Sequence, residues 1–177
     1  MLVETFNTLN AVSILLFGVL ALVGLIAMYA RHSFADLIAR HSNTILRVMF
    51  AGAVLGSFTY ELVFGYTPCL LCWYQRIAIL SITILLFTAD IRTSVLLRKQ
   101  VLILAGLGLI IALIHNYIDI VPNGLDICGA GPSCLLRYVN AFGFVTIPFM
   151  SAIVLFSGIV FSLASKRYPP PLSDIDL

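Results

Sequence analysis

Apolar residues fill this chain in five long runs, separated by short polar stretches. Residues 11–30 carry no charge, 48–66 only Glu61, 73–89 only Arg76 near the start, 101–118 only His115, and 141–164 none. A helix needs roughly 20 mainly apolar residues to cross the hydrocarbon core of a bilayer. Each run therefore predicts a membrane-spanning helix, with the third and fourth near the short end of the range. The first run lacks a basic leader and a small-residue cleavage site, so it reads as an inserted helix rather than a signal peptide.

The polar stretches orient the runs. Arg31, Arg40 and Arg47 fall in 31–47, Arg92, Arg98 and Lys99 in 90–100, and Lys166 and Arg167 after the last run. These alternate onto one side and hold eight of the ten basic residues. The other side holds the N-terminus with Glu4, the short 67–72 connection and the 119–140 loop with Arg137. Basic loops stay cytoplasmic, so the N-terminus is expected outside and the C-terminus inside. Pro122, Asn123, Gly124, Gly129, Gly131 and Pro132 predict turns in the outer loop. Pro169, Pro170 and Pro171 exclude a helix in the tail, which is expected to be disordered.

Composition narrows the function. The 177 residues are 61% apolar and 10% charged, with a net charge of +2. That excludes a soluble enzyme, a disordered chain and a nucleic-acid binder. Of the few reactive groups, four are cysteines in two close pairs, Cys69/Cys72 and Cys128/Cys134. Both pairs fall on the predicted outer side, where disulfides form and persist.

Cys69-Leu70-Leu71-Cys72 is a C-x-x-C motif directly before the third span. Two sulfurs at this spacing can form a disulfide, and a helix N-terminus favours a thiolate there. The position suits Cys72 in particular. Arg76 follows Cys72 by one helical turn, on the same face. One reading is a snorkelling arginine; the sharper one is a guanidinium holding an electron-rich oxygen beside Cys72, such as a quinone would supply. Cys128 and Cys134 bracket Gly-Ala-Gly-Pro-Ser, which allows a tight reversal. They could be a structural staple or an exposed, reducible disulfide on a mobile loop. A third reading puts all four sulfurs on one zinc ion, although C-x5-C is an unusual spacing for a tetrahedral site.

Pro68-Cys69-Leu70-Leu71-Cys72-Trp73-Tyr74-Gln75-Arg76-Ile77 resembles the signature of the DsbB family of disulfide bond formation proteins, in its short BdbC-like branch. The second cysteine pair followed by Tyr138-Val139-Asn140-Ala141-Phe142-Gly143-Phe144-Val145-Thr146-Ile147-Pro148-Phe149 is similar to the same branch, as is His115. The resemblance covers about residues 48–164. It implies an all-α, four-helix transmembrane bundle in the bacterial cytoplasmic membrane. It also implies a thiol oxidase that re-oxidises an exported DsbA- or BdbD-like thioredoxin-fold protein and passes the electrons to a membrane quinone, of ubiquinone or menaquinone type. By motif position Cys72 would meet the quinone, Cys69 would exchange with the loop pair, and Arg76 would contact the quinone. By chain order Cys128 would meet the partner and Cys134 would pass electrons to Cys69. The chain departs from the family by the additional span at 11–30. The expected organisation is an extra helix and basic loop at 1–47, the core at 48–164 with its redox loop at 119–140, and the tail at 165–177.

Several residues carry two readings. His115 is a candidate second donor to the quinone or an interfacial histidine. Glu61 could pair with Arg76, relay a proton or reach water. Tyr66, Trp73, Tyr74 and Tyr117 fit an aromatic interface belt. Pro148 is expected to kink the fifth helix, and Asp119 and Asp126 to be solvated loop charges. The runner-up functions are a vitamin K epoxide reductase-like or reverse-direction thiol reductase, and a non-catalytic metal-binding membrane protein.

Overall fold

The structure, a computed structural model, describes residues 2–30, 33–121 and 134–167. Each apolar run becomes a helix: α1 (Leu2–Tyr29), α2 (Ser33–Leu62), α3 (Leu70–Thr88), α4 (Val95–Ile120) and α5 (Ile147–Ala164), followed by a 3-10 turn at Ser165–Arg167. All five are long and apolar enough to cross a membrane. In lipid a backbone must satisfy its own polar groups, which a helix does. The protein is an all-α, multi-pass membrane bundle.

Helix ends depart from the apolar runs. α2 has 30 residues, about 45 Å at 1.5 Å per residue, against a core of about 30 Å. It therefore continues as helix through most of the basic 31–47 stretch, which hydropathy alone marks as a connection. At the other end of the chain, residues 141–146 form a turn rather than the start of α5. Ala141 bridges Val145, with Phe142 and Gly143 at φ 55° and 80° between them. Pro148 lies in the first turn of α5, where its missing N–H costs nothing. It starts the helix instead of kinking it.

The four later helices form a ring in which α2 packs on α3, α3 on α4, α4 on α5 and α5 back on α2. Leu46 and Phe50 of α2, Ile82 and Leu86 of α3, Val101 of α4, and Leu155 and Phe161 of α5 fill its centre. Small residues bring backbones together, as in other membrane bundles: a Cβ on Gly158 would lie 2.8 Å from the Phe50 ring. α1 lies outside the ring, against α2 and α5. Leu16, Leu55, Ile84 and Ile103 point outward, as lipid-facing side chains should.

The basic stretches share one end. Arg47 donates from Nε to Leu86 O at 2.8 Å and from Nη2 to Ala89 O at 3.3 Å, satisfying carbonyls at the α3 C-terminus. Arg92 pairs with Asp90 at 2.7 Å and donates to Arg40 O at 3.2 Å. Burial pushes the Asp90 carboxyl up, but the Arg92 hydrogen bonds outweigh it and hold it below its ordinary value. The 3-10 turn carrying Lys166 packs on α2. The expected disorder of 168–177 lies outside the described residues.

Candidate active site

The C-x-x-C motif opens α3. Cys69 is the N-cap, in extended conformation, and its sulfur accepts the Cys72 N–H at 3.4 Å. That amide is one of the donors a helix N-terminus leaves unpaired. Sequence spacing assigned the favour of the helix start to Cys72; the geometry gives this cap to Cys69. The two sulfurs lie 2.9 Å apart in hydrogen-bonding contact, and both cysteines are free. The hydrogen bond shared with Cys72 lowers the Cys69 thiol pKa, burial opposes it, and His115 lowers it further.

His115 reaches this pair from α4. It is 2% exposed, which removes the interfacial reading. Its Nε2 lies 3.8 Å from Cys69 Sγ and 3.3 Å from Cys134 O, and its Nδ1 lies 3.0 Å from Gln75 Nε2. The neighbours assign the tautomer. A carbonyl oxygen only accepts, so Nε2 of the neutral ring carries the proton and Nδ1 accepts from the Gln75 amide. One ring thus directs an N–H toward Cys69 and ties it to the Cys134 backbone.

Cys134 is disulfide-bonded and buried, at 6% exposure. It packs with Cys69, Leu71 and Ile118 in one cluster. This half of the second pair is therefore not exposed as expected, and it is not a free thiolate for a four-sulfur zinc site. Arg137 anchors the segment, donating from Nε to Asp119 Oδ1 at 2.6 Å and from Nη2 to Asp119 O at 2.5 Å. Asp119 is accordingly a buried residue of α4, where it was expected to be a solvated loop charge. Cys128 and Asp126 lie outside the described residues.

Arg76 is buried and does not snorkel. It donates from Nε to Ser57 Oγ at 2.9 Å and from Nη2 to Ser57 O at 3.2 Å, and its Nη1 pairs with Glu61. Its guanidinium also stands 5.0 Å over the Trp73 ring and 5.1 Å over Phe58, within cation–π range. Of the readings for Glu61, the structure shows the ion pair. Tyr66, half-buried, stacks on Tyr138 at 4.6 Å and on Tyr60 at 5.7 Å. Tyr74 and Tyr117 remain outward-facing, and Trp73 is both exposed and under Arg76.

A cavity of about 320 Å³ connects these groups. Cys69, Cys72, Gln75, Arg76 and His115 line its polar end, and Ile14, Phe17, Met49 and Val154 continue it into the bundle. The volume falls in the range of small-molecule sites, which are mainly apolar with a few convergent polar groups. Tyr60 Oη, buried in its wall, makes no well-formed hydrogen bond, with Asn10 of α1 as its polar neighbour. Gln75, Ser57 and Asn10 escaped sequence reasoning. Gln75, three residues after Cys72, was the only one with a readable signal.

Residues 39–165 match the family described as Disulfide bond formation protein DsbB. This chain belongs to the DsbB family. Among curated relatives, "Disulfide bond formation protein C" of Bacillus subtilis is 36% identical over 116 residues, 64% of this chain and 84% of the relative. A "Probable disulfide formation protein" of Oceanobacillus iheyensis is 34% identical over 104 residues, covering 57% and 72%. One of the same name from Chlamydia pneumoniae is 35% identical over 120 residues, covering 67% and 85%. No solved structure matches the chain. Membership of the DsbB family makes the protein a membrane disulfide oxidoreductase, and α1 lies outside the matched region.

Proposed function

We propose that the protein is a quinone-dependent thiol oxidase of the bacterial cytoplasmic membrane, with its cysteines on the outer face. Its catalytic core is 48–164, preceded by an additional helix and basic stretch at 1–47 and followed by the tail at 165–177. The observation that carries the reading is the packing of disulfide-bonded Cys134 beside free Cys69, with His115 between them.

The exchange balances as follows. A reduced thioredoxin-fold partner of the DsbA or BdbD kind attacks Cys128 and releases the Cys134 thiolate. Cys134 attacks Cys69 of the Cys69–Cys72 disulfide and releases the Cys72 thiolate. The partner's second thiolate then displaces Cys128 and leaves oxidised. Cys128 attacks Cys134, restoring the loop disulfide and releasing the Cys69 thiolate. Two electrons now reside on Cys69 and Cys72. His115 directs its N–H toward the Cys69 sulfur as that thiolate leaves, and exchange is faster from a better-stabilised leaving thiolate.

The cavity fits a quinone head group: it is mainly apolar, with Cys72, Arg76 and Tyr60 among its lining residues. A quinone supplies a sink for two electrons and two protons when bound. Arg76 would hold its oxygen, and His115 lines the same cavity. Cys72 and Cys69 re-form their disulfide as the electrons leave. Purified protein in detergent, given quinone and a reduced partner, should reduce quinone, and Cys72→Ser should abolish turnover. Quinone reduction that survives this substitution would overturn the scheme.

A further inference from the structure

The free Cys69 and Cys72 sulfurs and His115 Nε2 all lie within 4.8 Å of one another. We propose that this triad, in its reduced state, binds one zinc ion, which reversibly locks the enzyme with its C-x-x-C pair reduced.

Tetrahedral zinc holds sulfur at about 2.3 Å and imidazole nitrogen at about 2.0–2.1 Å, so a sulfur and a nitrogen on one ion stand about 3.6 Å apart. Cys69 Sγ and His115 Nε2 are 3.8 Å apart. Two sulfurs on one ion stand about 3.8 Å apart, against 2.9 Å here. Cys72 must therefore swing its sulfur about 1 Å away from Cys69 and, from within 4.8 Å, closer to His115, a side-chain rotation. The Cys134 carbonyl oxygen lies 3.3 Å from Nε2, close to the roughly 3.4 Å that an oxygen and a nitrogen span on the same ion. It occupies the direction of a fourth donor, which this carbonyl or a water can supply.

The partner of the other ring nitrogen also suits a bound ion. Zinc-bound imidazole donates its other N–H to an acceptor that fixes the ring. Gln75 meets Nδ1 at 3.0 Å. Turning its amide over presents Oε1 in place of Nε2, converting a donor to Nδ1 into an acceptor from it. Charge favours the ion as well. Two thiolates and Zn2+ make a neutral centre, suited to a site where Cys69 and His115 are buried. On binding, two S–H bonds break, two Zn–S bonds form, and two protons leave; no electron moves. The disulfide form has no thiolate to offer and releases the ion.

This site differs from a four-cysteine zinc clip, since Cys134 contributes at most its backbone. Binding stands on geometry alone, whereas the inhibitory consequence rests on the proposed oxidase cycle. The test is titration of purified protein with Zn2+ or Co2+ in a Cys128→Ser/Cys134→Ser background, with the C-x-x-C pair reduced or oxidised. The expected result is one ion per reduced chain, thiolate-to-cobalt charge-transfer absorption, and no binding after oxidation. His115→Ala should weaken the site at least as much as Gln75→Leu, for which about ten- to hundredfold is expected. Equal affinity in the oxidised form, equal affinity with His115→Ala, or loss of the site in the Cys128→Ser/Cys134→Ser background would each overturn the proposal. The oxidised wild-type chain gives the same comparison without any substitution. Failure of the protein to reduce quinone would sink the oxidase reading and leave the binding result intact.

Discussion

Arg76 offers five N–H donors in a rigid fork, and among the described residues protein groups take three: Ser57 Oγ, Ser57 O and Glu61. Arg76 lines the cavity together with Cys72. Hydrogen bonds to a charged group contribute about 1.5–3 kcal/mol, so Arg76→Met should weaken quinone binding roughly ten- to hundredfold. Trp73, the single tryptophan, lies under this guanidinium, and quenching of its fluorescence measures the affinity directly. Formation of the mixed disulfide between a reduced partner and the loop pair should stay within about twofold, because that step precedes release of the Cys72 thiolate beside Arg76; an affinity left unchanged would remove Arg76 from the quinone site. His115→Phe should act on the other step. It removes the N–H facing Cys69 and should slow internal exchange about tenfold, the equivalent of one hydrogen bond of roughly 1.4 kcal/mol, measured by rapid quench and thiol alkylation. Each cysteine pair was legible in the sequence from its own close spacing, and Arg76 because it follows Cys72 by one helical turn. Gln75 and Ser57 were not, since their meaning comes from α4 and α2 packing against α3, and adjacency between helices leaves no mark in local spacing.

Five apolar runs translated into five helices because a bilayer leaves the backbone little alternative. The ends were less legible: hydropathy reports where lipid begins, while hydrogen bonding carries α2 past that point and Pro148 sets where α5 starts. α1 shows the same limit. Its sequence is apolar all round and gives no inner face, yet Asn10, Ile14 and Phe17 line the cavity. A helix outside the matched family region therefore forms part of the wall of the site. Asn10→Leu, beside the Tyr60 hydroxyl, should change the KM for quinone severalfold and leave partner exchange untouched; equal changes in both would mean that α1 only supports the fold. Packing between α2 and α5 gives a separate expectation. Phe50 is fully buried, and a methyl group on Gly158 would stand 2.8 Å from its ring. Overpacking of this kind costs about 1–3 kcal/mol, so Gly158→Ala should lower the unfolding temperature in detergent; an unshifted transition would show that α2 and α5 can separate freely.

At the scale of the whole molecule, the charges divide the bundle into two ends with different chemistry. Arg47 and Arg92 hold helix ends and loops together at one end, Arg92 on the backbone carbonyl of Arg40, while the sulfurs, His115 and the Arg137–Asp119 pair occupy the other. The basic end is thus both a topological signal and a structural clasp. The two roles separate by substitution. Arg98 and Lys99 lie near the start of α4 beyond the clasp, so Arg98→Gln with Lys99→Gln should weaken orientation and leave stability unchanged within about 0.5 kcal/mol, as for ordinary surface changes. Arg47→Gln should harm both, because it also abandons the carbonyls of Leu86 and Ala89. Orientation is read by fusions at the C-terminus: a fluorescent protein that matures only in the cytoplasm should glow, and a phosphatase active only outside should be silent. The opposite pattern would place both cysteine pairs on the reducing side, where glutathione and thioredoxin keep thiols reduced. No net flow of electrons from an exported dithiol to Cys69 and Cys72 could then occur, and the oxidase reading would fall with the topology that supports it.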